Sequence, residues 1–192
     1  MTTGEGTGIQ ITEQTYEEIA MREPDEQWEL HRGELRSKPT DMTFEHNQGA
    51  RTLGFCLQSQ LGMRDYIVSI NLGRASRPVT TYYIPDIMVI PQALTAHFRE
   101  RPRTLEAYRN PLPLVVEVWS PSTGYYDVDE KLPEYQRRGD LEIWRIHPYE
   151  RTLIAWRRQP DGSYSESLYR GGTIQPVVLP GAKVDLDALF DA

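Results

Sequence analysis

Two carboxylates stand inside apolar runs. Asp86 lies in Tyr83-Ile84-Pro85-Asp86-Ile87-Met88-Val89-Ile90, and Glu117 lies in Leu114-Val115-Val116-Glu117-Val118-Trp119. Both stretches are short, rich in β-branched residues and bounded by proline or turn residues, so they read as buried strands. A carboxylate in such a strand is costly unless it is paired, protonated or bound to a metal. Two strands of this kind, placed side by side, would present Asp86 and Glu117 to one metal ion. A polar turn, Ser120-Pro121-Ser122-Thr123, follows the second run, and residues 127–138 then read as helical. On a helix, Asp127, Lys131 and Tyr135 fall near one face. Pro133 is tolerated if the helix starts near Asp129 or Glu130, which would leave Asp127 outside it.

The elements that must position these groups are legible in outline. Thr12 to Arg22 reads as a short helix with a threonine cap, and Trp28 to Leu35 as a hairpin turning near Arg32-Gly33. Thr43 to Leu61 reads as a longer helix, weakened by Gly49 and Gly54 and ending at Gly62. Tyr66 to Leu72 and Leu141 to Ile146 read as strands, and the segments around Leu153–Trp156 and Tyr164–Tyr169 as a closing hairpin joined at Asp161-Gly162. Val184 to Phe190 is a short amphipathic element. Residues 91–113 form a connection longer than ordinary loops. The pattern predicts an α/β fold, a mixed sheet flanked by helices with additional β-hairpins. Residues 1–10 are expected to be a flexible tail and 11–192 a single domain.

Composition narrows the class. The chain has 192 residues, 39% hydrophobic and 26% charged, which suits a globular domain with a sizeable core. No run reaches the roughly 20 apolar residues of a membrane span. The N-terminus has no basic region followed by an apolar one, so no signal peptide is expected. A lone Cys56 gives neither an intrachain disulfide nor a zinc pattern, which fits a reducing, cytoplasmic setting. Net charge is −7 and the pI near 5.2, against coating of nucleic acid by bulk charge. Positive charge is grouped locally instead: Arg99, Arg101, Arg103 and Arg109 lie between the two key strands, as candidate contacts to a phosphate backbone.

The ordered set Pro85-Asp86, Val116-Glu117-Val118, Ser120-Pro121-Ser122-Thr123, Asp127, Lys131, Tyr135, Gly139 and Trp144 resembles the Uma-two family of the PD-(D/E)XK nuclease superfamily. Trp28-Glu29-Leu30, Gly33-Glu34-Leu35 and His46 match as well, so the resemblance spans roughly residues 15–190. It implies a restriction-endonuclease-like fold and a metal-dependent endonuclease that hydrolyses phosphodiester bonds in DNA. Asp86 and Glu117 would be the metal ligands, with Mg²⁺ as cofactor and Mn²⁺ able to substitute. The superfamily's lysine lies two residues after the glutamate, where this chain has Trp119; the family places a lysine on the following helix, and Lys131 fills that place. Glu29, His46 and Tyr135 would border the site. A homodimer is expected, since cutting both strands of a duplex suits paired sites. Two other readings stand beside this one: a catalytically silent nucleic-acid-binding or interaction protein on the same fold, and a carboxylate-pair hydrolase such as a glycosidase.

Overall fold

A computed structural model describes residues 10–22, 26–39, 42–77 and 81–192. The expected N-terminal tail lies outside the described residues except for Gln10. Helix α1 (Glu13–Arg22) opens on Thr12, whose hydroxyl accepts from the Thr15 amide at 3.2 Å. Strands β1 (Trp28–His31) and β2 (Glu34–Ser37) form the expected hairpin. Arg32 and Gly33 both take positive φ, 49° and 87°, the twist that a two-residue hairpin turn requires. Helix α2 (Phe44–Gln60) is capped by Thr43, which accepts from the His46 amide at 3.3 Å. Gly54, read from sequence as a weakness, serves packing. A Cβ there would stand 2.3 Å from Ile70 of strand β3 (Tyr66–Ile70), so only glycine lets α2 lie this close to the sheet.

The stretch expected as one strand from Tyr83 to Ile90 is two. After β4 (Arg74–Arg77), strand β5 (Thr81–Tyr83) belongs to a five-stranded sheet in the order β2-β1-β5-β4-β7. Strand β6 (Ile87–Pro91) belongs to a six-stranded sheet in the order β11 (Tyr164–Tyr169), β10 (Thr152–Arg158), β9 (Glu142–His147), β8 (Leu114–Val118), β6, β3. Ile84-Pro85-Asp86 forms the bend between them. Pro85 has no N–H to give a ladder, so the chain leaves one sheet there and enters the other. The long connection is partly ordered: a 3₁₀ turn (Gln92–Thr95), α3 (Ala96–Glu100) and β7 (Ala107–Tyr108) precede β8 (Leu114–Val118).

The helical segment beginning after the Ser-Pro-Ser-Thr turn starts earlier than the proline suggested. It runs through α4 (Gly124–Tyr126), a π-helical stretch (Asp127–Lys131) and α5 (Leu132–Arg138), ending on Gly139 at φ 81°. The wide turn is closed by a bond from the Leu132 amide to the Asp127 carbonyl. Pro133 sits at the start of α5, where the change of helix type leaves its missing donor without consequence. Asp127 therefore lies inside the helical segment, not before it. Strands β9 (Glu142–His147), β10 (Thr152–Arg158) and β11 (Tyr164–Tyr169) extend the large sheet, and β12 (Thr173–Ile174), β13 (Val184–Asp185) and α6 (Leu186–Asp191) close the chain.

Both faces of the large sheet are covered, so its central strands read as continuous apolar runs. One face packs Ile87, Val89, Val116, Val118 and Trp144 against Leu53 and Leu57 of α2 and Leu186 of α6. The other packs Met88, Ile90, Val115 and Ile143 against Tyr83, Tyr108 and Tyr135. In the smaller sheet, Leu30 and Tyr82 pack on Tyr16 and Ala20 of α1. Among the described residues no helix is long and apolar enough to cross a membrane.

Candidate active site

Register brings the two carboxylates together. In the antiparallel pair β6–β8, Ile87 stands opposite Val116, so Asp86 and Glu117 flank the next rung, where the two sheets meet. Both are buried, at 2% and 4% exposure, and both line one cavity of about 240 Å³. Glu29 of β1 and Asp127 and Lys131 of the π-helical turn line it too. The Lys131 ammonium lies 3.1 Å from Glu29 Oε1, 3.3 Å from Glu117 Oε1 and 3.7 Å from Asp127 Oδ1. Lys131 thus projects into the cleft, as expected from its place on the helix. Tyr135 donates its hydroxyl to Glu117 Oε1 at 2.5 Å, and Glu29 Oε1 accepts the Ile84 amide at 2.8 Å. His46, fully buried on α2, brings Nε2 to 3.0 Å from Asp86 Oδ2, which also accepts the Val118 amide at 2.8 Å.

One participant has no mark in the sequence. Lys38, just past β2, is 5% exposed, and its ammonium donates to Asp86 Oδ1 at 2.8 Å, Ile84 O at 2.7 Å and Asn71 Oδ1 at 2.9 Å. Its neighbours Ser37 and Pro39 are polar or turn-forming, so no periodicity flags position 38 as buried. Arg145 was missed as well. It is paired in parallel register with Glu117, and its Nε is buried without a hydrogen-bond partner among the described residues.

The position of the superfamily lysine is put to another use. Trp119 stacks on His147 with ring centroids 4.2 Å apart and an 18° interplanar angle, and Tyr149 meets it edge-on. Gly124 permits this placement, since a Cβ there would stand 2.0 Å from the indole nitrogen. The arginine connection is also placed differently from expectation. Residues 91–113 leave β6 at Pro91 and enter β8 at Leu114, the ends of the strands remote from Asp86 and Glu117. At about 3.3 Å per residue, that is roughly 15 Å from Asp86 and roughly 10 Å from Glu117. Arg99, Arg101 and Arg103 are exposed there, and Arg109 pairs with Glu13 of α1 at 2.6 Å.

The electrostatics follow from burial and pairing. Burial works to raise the Asp86 pKa, but the Lys38 ammonium and His46 outweigh it and hold the carboxyl far below its usual range. Glu117 is pushed up to about 8, chiefly by burial, which Lys131 opposes and the nearby Asp86 and Asp127 reinforce. Asp127 is raised for the same main reason. For Lys131, burial acts to lower the pKa, and Glu117, Glu29 and Asp127 more than reverse it, so the ammonium is retained. Four buried carboxylates thus line the cavity with two buried ammoniums, and the exposed Arg36 guanidinium stands at its rim. Among the described residues no group of three or more His, Cys, Asp or Glu side chains is arranged to hold a metal ion. The donor set nevertheless suits a hard divalent cation. It is all oxygen, and one such ion would take the place of protons on Glu117 and Asp127.

Comparison with known proteins agrees with this architecture. A solved structure described as "a putative nuclease belonging to DUF820" from Anabaena variabilis superposes with a TM-score of 0.70 at 17% identity, covering 85% of this chain and 89% of that one. At that identity the likeness speaks for a shared fold. No curated protein matches the chain. The family model described as "Putative restriction endonuclease" matches residues 13–187, nearly the whole sequence, and the chain belongs to this Uma2 family.

Proposed function

We propose that the protein is a metal-dependent endonuclease that hydrolyses phosphodiester bonds in DNA. The observation that carries this reading is the convergence of Asp86, Glu117, Glu29 and Lys131, from three strands or strand ends and one helix, on a single cavity. Asp86 and Glu117 would hold Mg²⁺, with Mn²⁺ able to substitute. A bound ion would neutralise charge on the phosphate and make water a better nucleophile near neutral pH. Lys131 keeps its proton among the carboxylates and directs a fixed positive charge to where a phosphate oxygen gains charge. Tyr135 and Glu29 hold the Glu117–Lys131 pair in place, and His46 fixes Asp86. Duplex cleavage on both strands would need two such sites, which a two-fold pair of chains supplies.

Supercoiled plasmid incubated with Mg²⁺ or Mn²⁺ tests the reading. Wild type should nick or linearise it, and chelator should stop the reaction. Asp86→Ala and Glu117→Ala should each lower the rate by at least about a hundredfold, an effect of the size produced by losing one transition-state contact. A folded wild type that binds DNA but leaves plasmid intact with either ion would favour the catalytically silent reading instead.

A further inference from the structure

We propose that Lys38 is an internal cation that permanently fills an oxygen cage on the Asp86 side of the cleft, so that the centre takes one divalent ion, on the Glu117 side, and not two. The proposal rests on the metal-dependent reading above. An ammonium has three N–H groups, and those of Lys38 are matched by three oxygens of different origin: a carboxylate, a backbone carbonyl and an amide, at 2.7–2.9 Å. These are the oxygen types that Mg²⁺ and Ca²⁺ select. The cage is built rather than incidental. Asn71 takes φ 51°, a left-handed conformation, at the end of β3, its amide donates to Asp86 O at 2.9 Å, and its carbonyl accepts from Gln27 Nε2 at 2.8 Å. Those bonds fix its backbone in the geometry that aims Oδ1 at Lys38.

The two ammoniums of the cleft differ in how tightly they are held. Lys131 stands 3.1–3.7 Å from its carboxylates. Lys38 is held at hydrogen-bond distance on all sides and is 5% exposed. Asp86 Oδ2 is already committed to His46 and the Val118 amide, so Oδ1, shared with Lys38, is the oxygen that remains to face the cavity.

The test is a count of ions on metal-free protein. Mn²⁺ binding is followed by electron paramagnetic resonance and calorimetry on wild type, Lys38→Ala, Lys38→Met and Glu117→Gln, with folding checked by circular dichroism. Wild type should bind one ion. Lys38→Ala, which empties the cage, should bind one more, and Lys38→Met, which keeps its volume filled, should not. Two ions in the wild type, or no additional ion in folded Lys38→Ala, would overturn the proposal. Anomalous scattering from Mn²⁺ in wild-type crystals gives an answer that needs no variant. An ion beside Glu117, with Lys38 still on its three oxygens, is expected, and an ion seated on Asn71 Oδ1 and Ile84 O is the contrary result. Glu117→Gln separates this from the parent reading. If it binds Mn²⁺ as wild type does, the role of Glu117 fails, while the difference between wild type and Lys38→Ala still decides the cage.

Discussion

Lys131 is the residue whose removal the site can least absorb. Its ammonium is nearly fully buried and faces Glu29, Glu117 and Asp127, so taking it away leaves three carboxylates without their nearest counter-charge. Losing one partner of a buried charge group typically costs about 3–5 kcal/mol. Lys131→Met should therefore unfold at distinctly lower urea concentration in metal-free buffer at neutral pH, and Mn²⁺ should restore part of the loss by supplying the missing charge. A variant as stable as wild type without metal would show that Lys131 is not the counter-charge. The carboxylates themselves were legible in the sequence, because a charged residue inside a β-branched run is conspicuous. Lys131 was legible by its helical spacing from Asp127 and Tyr135, and its role only through its place in the family pattern. Lys38 was not legible at all: what buries it is the carbonyl of Ile84 and the side chain of Asn71, 46 and 33 residues away. No local pattern encodes a contact of that kind.

At the scale of elements, the sequence predicted most helices and hairpins within a residue or two, and failed where one element changes its partner or its geometry. Tyr83–Ile90 reads as one strand because its apolar pattern is continuous, yet Pro85 hands it from one sheet to the other. Residues 124–138 read as a helix with a late start because Pro133 is priced for an α-helix, and the π-helical turn removes that constraint. Two predictions belong here. The arginine-bearing connection sits at the far ends of β6 and β8, so replacing Arg99, Arg101, Arg103 and Arg109 by Ala should leave the salt dependence of duplex binding unchanged. Arg36 at the cavity rim and Arg145 beside Glu117 are better placed, and losing a phosphate contact at either should lower the slope magnitude by about 0.9. Fluorescence anisotropy over a salt series measures both. The second concerns Glu134 of α5, which joins that helix to Arg77 of β4 at 2.8 Å and also pairs with Arg137. Burial opposes its ionisation, but the Arg77 and Arg137 contacts prevail and hold its pKa below the ordinary 4.5. A depressed carboxylate stabilises the fold above its unfolded pKa and loses that contribution as pH falls through the folded value. Wild type should thus lose stability relative to Glu134→Gln below about pH 4.5, the ordinary value, and exceed it at neutral pH. Parallel denaturation curves at the two pH values would refute this.

For the molecule as a whole, the decisive feature is that the site is also the joint between the two sheets. Glu29 and Lys38 come from the β1–β2 hairpin of the smaller sheet, while Asp86 and Glu117 open and close neighbouring strands of the larger one. Lys38 to Asp86 and Lys131 to both Glu29 and Glu117 are among the ties that cross this boundary. A divalent ion on the Glu117 side, where Glu29 of the smaller sheet also lines the cavity, would add a further tie at the same place. Binding to the native state alone stabilises whatever must open for the site to be lost. Hydrogen exchange read by mass spectrometry should therefore slow together in two regions distant in sequence, residues 28–38 and residues 86–91 with 114–118, when Mn²⁺ is added to metal-free protein. The arginine connection, which hangs from the far ends of the strands, should not respond. Glu117→Gln should weaken the joint response, because it removes one of the two ligands on the larger sheet. Protection confined to 114–118, with the hairpin exchanging as before, would mean that the ion binds one sheet without bridging to the other.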